Sequence, residues 1–104
     1  MDERSFRDKF KRTFNIVFTS HAIESLLKRS IKEETVLNAL DSPDKILLDV
    51  ETKYLIFIKK LDSQSIIVVC DIEEETYKVV TAYKSSRVEK ILSRKIKKKR
   101  WVEL

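Results

Sequence analysis

The sequence predicts an α+β domain, an antiparallel β-meander packed by an N-terminal pair of helices and followed by a C-terminal helix. Two observations predict this class. Before Pro43, apolar residues recur at the i, i+3, i+4 spacing of amphipathic helices, whereas after Pro43 they alternate with the period of two of a strand. The alternating runs are separated by short polar loops of hairpin length. We therefore expect a single domain.

The N-terminal part predicts a strand between helices. Residues 1–13 form an extension in which Phe6 and Phe10 lie four apart, as in a short amphipathic helix. Residues 14–18 are rich in aromatic and β-branched side chains and predict a strand. Ser20 is expected to cap the next helix, which runs to about Arg29. Its predicted buried stripe consists of Ile23, Leu26 and Leu27.

A second helix follows directly. Residues 30–33 read Ser-Ile-Lys-Glu, the pattern of a capping box, and the helix is expected to run to about Leu40. Its predicted buried residues are Val36, Leu37 and Leu40. Pro43 ends this helical region, because a proline pushes the preceding residue out of the helical conformation.

Four strands and one helix are predicted after Pro43. The strands cover Lys45–Val50, Tyr54–Lys59, Ser65–Asp71 and Thr76–Tyr83. Residues 66–70 are apolar on both faces, which indicates the central strand. Residues 86–89 form a second capping-box pattern and open a helix whose apolar stripe is Val88, Ile91, Leu92 and Ile96. The basic residues that follow are expected to end this helix as a tail over 94–104.

Composition excludes several classes of protein. The 104 residues include no glycine, and phosphate-binding loops and dinucleotide folds need glycine for close backbone approach. Cys70 is the only cysteine, so no intramolecular disulfide can form, and its apolar run predicts a buried, inert thiol. No cofactor is expected. No apolar run is long enough to span a membrane, and we expect a soluble, cytoplasmic protein. High Lys and Glu content with few amides favours a thermophile host.

The positive charge lies at the two ends of the chain. The formal net charge is +5, yet residues 13–93 carry a slight excess of acidic groups. Residues 94–100 form a block of the kind that phosphate backbones attract. The cationic side chains expected to contact RNA in this block are Lys95, Lys97, Lys98, Lys99 and Arg100. A solubilising tail is the alternative.

His21 is the only histidine and the first candidate for proton transfer near neutral pH. At a helix N-terminus it is expected to be neutral and to act as a base, because the helix dipole disfavours a cation there. A partner acid such as Tyr83, Lys84 or Glu24 would then be required. An exposed polar residue near a helix start is the alternative interpretation.

A second group of candidates lies at the ends of elements. Lys28 and Arg29 end the first helix and could clamp a phosphate, although cations are favoured at that position in any helix. The last strand is predicted to place Thr81 and Tyr83 on one face together with Tyr77 and Val79. Lys84 and Arg87 follow immediately. Half-buried strand residues with a solvated rim are the alternative. No metal-binding set is visible, and residues 71–75 are expected to form a solvated acidic loop.

Two segments resemble a known family. Residues 18–31 resemble the Ser-x-His-Ala…Arg-x-Ile signature of small uncharacterised domains allied to RelE/ParE-like toxins. Residues 79–83, Val-Val-Thr-Ala-Tyr, are similar to the final strand of those domains. The resemblance spans about residues 14–92.

The resemblance implies a RelE-like fold, similar to the barnase and colicin ribonucleases, and cleavage of RNA without a metal. It implies that His21 is the acid or base, that Arg29 neutralises the scissile phosphate, and that Thr81 and Tyr83 contact substrate from the sheet. It also implies RNA or the ribosome as a partner and a cognate antitoxin. The acidic middle of the chain departs from ribosome-dependent members, which carry basic groups across the sheet.

The sequence thus leaves three functions open. The favoured one is a toxin-like endoribonuclease or translation inhibitor. The second is a non-catalytic nucleic-acid-binding module that uses the basic C-terminal helix. The third is a protein-interaction domain that uses Phe6, Phe10 and Trp101 as its apolar contacts.

Overall fold

The computed structural model describes residues 15–104. Within that range the chain has three helices and a six-stranded mixed sheet, which confirms the α+β class. The strands are β1 (Asn15–Phe18), β2 (Lys45–Asp49), β3 (Leu55–Lys60), β4 (Ser65–Glu73), β5 (Thr76–Ser85) and β6 (Trp101–Glu103). The helices are α1 (Ser20–Lys28), α2 (Glu33–Asp41) and α3 (Val88–Lys97). The helix predicted around Phe6 and Phe10 lies outside the described residues.

The sheet has the strand order β1-β5-β4-β3-β2-β6. From β2 to β5 each strand pairs antiparallel with its neighbour in the chain. The two edges differ from this pattern. At one edge β1 pairs parallel with the first half of β5, and at the other β6 pairs antiparallel with β2. The parallel pair at β1 makes the sheet mixed, whereas the sequence predicted an antiparallel one.

Helices cover both faces of the sheet, and β4 lies in its interior as predicted. Ile66, Val68 and Cys70 face the layer of α1 and α2. Ile67 faces the other way, into a second cluster that includes Leu92 of α3. All four β4 side chains are fully buried, and burying one side chain of the Val or Ile kind contributes about 1.5–3 kcal/mol. Burial also raises the pKa of the Cys70 thiol to about 12.

The predicted cap of α1 was wrong, and its predicted buried stripe holds only for Leu26. Thr19, not Ser20, caps the helix, because its hydroxyl accepts a hydrogen bond from the Ala22 amide at 3.0 Å. The buried residues of α1 are Ala22, Ser25 and Leu26, while Ile23 and Leu27 are 50% and 76% exposed. The prediction followed side-chain size, but the face of α1 that meets β5 is made of small residues around a single leucine.

The capping box predicted at residues 30–33 does not form. Ser30 instead adopts a left-handed conformation, with φ of 52°, just after the end of α1. The Ser30 amide donates to the Leu27 carbonyl, and the Ile31 amide donates to the Leu26 carbonyl. This pair of bonds is a Schellman motif, which satisfies the last carbonyls of a helix. The N-cap of α2 is Lys32, and its side chain makes no capping hydrogen bond.

Two further details of the predicted helices need correction. In α2 the buried residues are Val36, Ala39 and Leu40, whereas Leu37 is exposed. The capping box predicted at residues 86–89 is also absent, because the N-cap residue of α3 makes no side-chain hydrogen bond. In α3 only Leu92 of the predicted stripe is fully buried, and Ile96 is exposed.

The segment predicted as a basic tail is part of the fold. A second Schellman motif ends α3 at Lys99, whose φ is 57°, and turns the chain into β6. Trp101 is buried against the α3 side of the sheet. It is therefore not the exposed contact that the protein-interaction hypothesis required. The Asp49 carboxylate accepts hydrogen bonds from the Arg100 guanidinium at 3.1 Å and from the Trp101 indole at 3.4 Å.

The Asp49 carboxylate also accepts from two backbone amides of the following turn, those of Glu51 and Thr52. Burial tends to raise the pKa of Asp49, but the hydrogen bonds and the positive charge of Arg100 outweigh it, so the pKa lies below its usual value of 3.8. Asp49 therefore holds β2, its turn and β6 together as an anion.

We expect Asp49→Asn to lower the free energy of unfolding at pH 7 by about 2 kcal/mol, since hydrogen bonds to a charged group are lost. The wild-type contribution is fully present above the unfolded pKa of Asp49 and is lost as the pH falls through the lower folded value. Urea unfolding followed by Trp101 fluorescence measures both effects. Glu51→Gln is the control, because its exposed pair with Arg100 contributes at most about 1 kcal/mol. Equal losses in the two variants would contradict this role of Asp49.

Candidate functional site

A β-bulge in β5 sets the geometry of the candidate site. Val69 of β4 pairs with Thr81, but the next β4 residue, Cys70, pairs with Val79. Val80 is therefore an extra residue without a partner in β4. A bulge of this kind shifts the alternation of side chains by one residue and often lies beside a functional site.

The bulge corrects the predicted face of the last strand. Tyr77 and Val79 are buried in the cluster beneath α1 and α2. Tyr83 lies against the opposite cluster, the one covered by α3. Thr81 shares that face with Tyr83, since the two are separated by one residue beyond the bulge. Thr81 and Tyr83 do project together, as predicted, but Tyr77 and Val79 do not join them.

Arg29 reaches this pair from the end of α1. Its Nη1 donates to the Thr81 hydroxyl at 3.1 Å and to the Ala82 carbonyl at 2.9 Å. Its Cζ lies 6.0 Å from the centroid of the Tyr83 ring, within reach of a cation–π interaction. The structure thus brings together three of the four predicted catalytic residues. We call this group the Arg29 cluster: Arg29, Thr81 and Tyr83.

The hydrogen bonds of Arg29 leave most of its guanidinium free. Nη1 makes both bonds, so Nε–H and the two N–H groups of Nη2 remain as donors. Arg29 is exposed, and no carboxylate of residues 15–104 forms an ion pair with it. A fixed guanidinium with a free edge matches the bidentate geometry of a phosphate.

Tyr83 is suited to donate a proton. Burial raises the pKa of its phenol, and the positive charge of Arg29 counteracts only part of that rise. The phenol is therefore protonated at neutral pH. In this state Tyr83 can donate a hydrogen bond or a proton to an oxyanion beside Arg29.

His21 lies outside the Arg29 cluster, about 80° round the helix axis from Arg29. It is exposed in the first turn, eight residues and about 12 Å of helix rise before Arg29. Its side chain makes no hydrogen bond with any residue in the described part of the chain. Of the neighbouring residues, Thr19 caps α1 and Ala22 packs against the sheet, whereas His21 has no such structural contact.

The remaining predicted cations lie in different surroundings. Lys28 is exposed and lies 3.6 Å from Glu24, the other candidate acid. Lys84 is exposed and follows Tyr83 on the opposite face of β5. Lys95 lies over the Trp101 ring at 5.7 Å, which makes it part of the anchor of β6.

Arg100 also has a structural role, since its guanidinium pairs with Asp49 and Glu51. Lys97, Lys98 and Lys99 are exposed in the last turn of α3 and the residues that follow. The predicted basic block is therefore divided: two of its side chains hold the C-terminal strand, and the others face solvent.

A basic stripe along α3 was missed by the sequence reasoning. It consists of exposed residues at i, i+3, i+7, i+10 and i+11, which share one side of a helix. These residues are Arg87, Lys90, Arg94, Lys97 and Lys98. The spacing of these cations predicts such a stripe, but the prediction from the sequence rested on the contiguous block over 94–100 and did not include Lys90. The stripe begins four residues after Tyr83 in the chain.

Two further kinds of feature, a metal-binding set and a membrane-spanning helix, are absent from residues 15–104. No group of three or more His, Cys, Asp or Glu side chains there is arranged to hold a metal ion. No helix of this part of the chain has the length and apolar character needed to cross a membrane.

Comparison with known families identifies one match. A family model described as a domain of unknown function, DUF4258, matches residues 18–84, and the chain belongs to that family. The matched residues run from the end of β1 to β5 and include His21 and the whole Arg29 cluster, whereas α3 and β6 lie outside them. Searches of curated proteins and of solved structures found no significant match to the chain.

The contact between Arg29 and Tyr83 can be tested by titration. We expect Arg29→Ala to raise the pKa of Tyr83 further, because the positive charge that favours the phenolate is removed. Ultraviolet difference titration of the tyrosines measures this shift, and Tyr83→Phe identifies which step belongs to Tyr83. Lys84→Ala is the control, since this neighbouring cation lies on the other face of the strand. A Tyr83 titration unchanged by Arg29→Ala would contradict the contact.

Proposed function

We propose that this DUF4258 domain acts on RNA as a toxin-like, metal-independent endoribonuclease, with the phosphate bound at the Arg29 cluster. The observation that carries the proposal is the fixed position of Arg29, whose Nη1 is held by Thr81 and Ala82 while its other N–H groups face solvent. An arginine held in this way loses less conformational entropy on binding a phosphate than a freely moving arginine does.

The reaction is an attack of the ribose 2′-hydroxyl on the adjacent phosphorus. His21 takes the proton of that hydroxyl, the new 2′-O–P bond forms, and the bond to the 5′-oxygen breaks. The products are a 2′,3′-cyclic phosphate and a 5′-hydroxyl, and the leaving oxygen receives its proton from Tyr83. Arg29 stabilises the charge that builds on the phosphate oxygens.

Three observations support this assignment of roles. Tyr83 is the candidate acid that lies beside Arg29, whereas Glu24 lies near Lys28 and Lys84 points from the other face. Burial raises the pKa of Tyr83 and keeps the phenol protonated, while the positive charge of Arg29 offsets part of that rise and favours release of the proton. His21 is exposed on the helix that ends at Arg29, so an RNA strand that extends from the Arg29 cluster along α1 would meet it.

Primer-extension mapping tests the proposal. An mRNA, free and in a translating lysate, is incubated with wild-type protein and with folded His21→Ala, Arg29→Ala and Tyr83→Phe variants. We expect cuts with the wild type in at least one of the two conditions, and a loss of at least 100-fold in each variant, since general acid–base groups contribute about 10²–10⁴. Lys32→Ala is the control, an exposed cation three residues after Arg29 whose side chain makes no capping hydrogen bond. Intact RNA with the wild type in both conditions, or cuts that persist in His21→Ala, would overturn the catalytic proposal.

The basic stripe of α3 favours a second candidate, a non-catalytic RNA-binding module. Its five exposed cations lie on a helix that β6 and Asp49 hold to the sheet, and no acidic residue of α3 shares that side. Such a surface binds a phosphate backbone through release of counterions.

We expect the double variant Lys90→Glu, Arg94→Glu to abolish RNA binding in this second case, with His21→Ala binding as the wild type does. Substitution is a sharper test than truncation, because removal of residues 94–104 would also remove buried Trp101. Fluorescence anisotropy with a labelled RNA at rising salt measures the affinity. A Kd that does not weaken as salt increases would exclude a phosphate-binding role for the stripe.

A further inference from the structure

A groove of about 370 Å³ lies between the end of the sheet and the first turn of α3. It is bounded by the loop between β3 and β4, the start of β2 and the first turn of α3. Its apolar lining comes from Ile58, Val88 and Leu92, and its rim carries hydroxyl, amide and charged groups. Ten of its thirteen lining residues are polar or charged, so the groove offers a ligand a small apolar floor within a polar rim.

One polar group in the groove lacks a partner. Ser65 is only 6% exposed, and its side chain lines the groove. No residue between 15 and 104 hydrogen-bonds to its hydroxyl, and the oxygen is not enclosed by the protein, so it is open to the groove. Beside it, Gln64 ends the β3–β4 loop with an exposed side-chain amide. These two groups offer both donors and acceptors to a ligand.

The charges at the rim argue against a ligand that is a simple anion. Lys45 is paired with Glu103, and the Asp44 carboxylate accepts the backbone amide of Lys60. Asp62 and Glu89 add two carboxylates to the lining, and Lys60 adds one cation. A neutral, flat heterocycle fits this environment better, because its faces are apolar and its edge carries donors and acceptors.

The groove lies one step along β5 from the Arg29 cluster. Ser85, which lines the groove, is two residues after Tyr83 on the same face of the strand, a distance of about 7 Å. That distance is close to the spacing of successive nucleotides in an extended strand. Val88 packs against the cluster that Tyr83 borders and also lines the groove, so it separates the two sites.

We propose that this groove binds a nucleobase of the RNA strand next to the phosphate held at the Arg29 cluster, with Ser65 and Gln64 hydrogen-bonding to the edge of the base. This inference rests on the proposed action on RNA and adds a site that selects among bases. The floor of Ile58, Val88 and Leu92 would contact the face of the base.

Short RNA analogues test the groove. The probes are trinucleotides U-N-U in which N is each of the four bases or an abasic residue, with 2′-fluoro sugars so that cleavage cannot occur. Kd is measured by titration in ¹H–¹⁵N spectra, where Gln64, the only glutamine in the sequence, supplies a side-chain amide signal in the groove. We expect at least one base to bind roughly tenfold more tightly than the abasic probe and to shift that signal.

The variants separate the two proposals. Ser65→Ala and Gln64→Ala are expected to bind the preferred probe only as tightly as the abasic one, while Asn38→Ala, an amide on the opposite layer, binds as the wild type does. Backbone signals of unchanged dispersion establish that each variant is folded.

If the probes bind and Arg29→Ala weakens them, but all bases and the abasic residue bind the wild type alike, the groove inference is wrong and the action on RNA stands. If no trinucleotide binds, yet free nucleosides shift the Gln64 signal, the action on RNA fails and base binding in the groove is supported. No shift with either probe overturns both.

Discussion

The unpaired edge of β5 is the constraint on which the arrangement of the site depends. β5 has ten residues, but β1 pairs only with the first four, up to Val79. Backbone carbonyls beyond that point need other partners. Thr19 donates to the Val79 carbonyl through its amide and its hydroxyl, and Arg29 donates to the Ala82 carbonyl. Both ends of α1 are thus fastened to the same strand edge, and this places the Arg29 guanidinium beside Tyr83.

This arrangement explains which parts of the fold could be predicted from the sequence. In the strands over 45–85, apolar side chains alternate with a period of two, a pattern that depends only on residues adjacent in the chain. The predicted bounds of these strands were accurate to within about two residues. The buried face of α1 depends on how closely the helix approaches β5. Ala22 and Ser25 permit that approach, whereas Ile23 and Leu27 would hold the helix away, so hydrophobicity alone selected the wrong side.

The mispredicted serine cap of α2 has a related cause. A chain without glycine must place other residues in the left-handed conformation at helix ends, and Ser30 and Lys99 do so here. A non-glycine residue pays about 1–2 kcal/mol in that conformation. Because Ser is favoured at N-caps, a serine between two helices indicated the start of α2, whereas it completes the end of α1. The candidate residues were found by their chemistry and resemblance, but the bulge at Val80 has no signal in the sequence.

Because β6 pairs with the sheet, the basic residues of 94–100 have different roles from one another. In a free tail, the cations of residues 94–100 would be interchangeable and solvated. Asp49 instead fixes Arg100 and Trp101, and this fixes the end of α3 and the direction in which its outer side chains project. For the proposed action on RNA, side chains held in fixed positions would meet a bound strand in one register, which is the condition for cutting it at one bond or for reading one base.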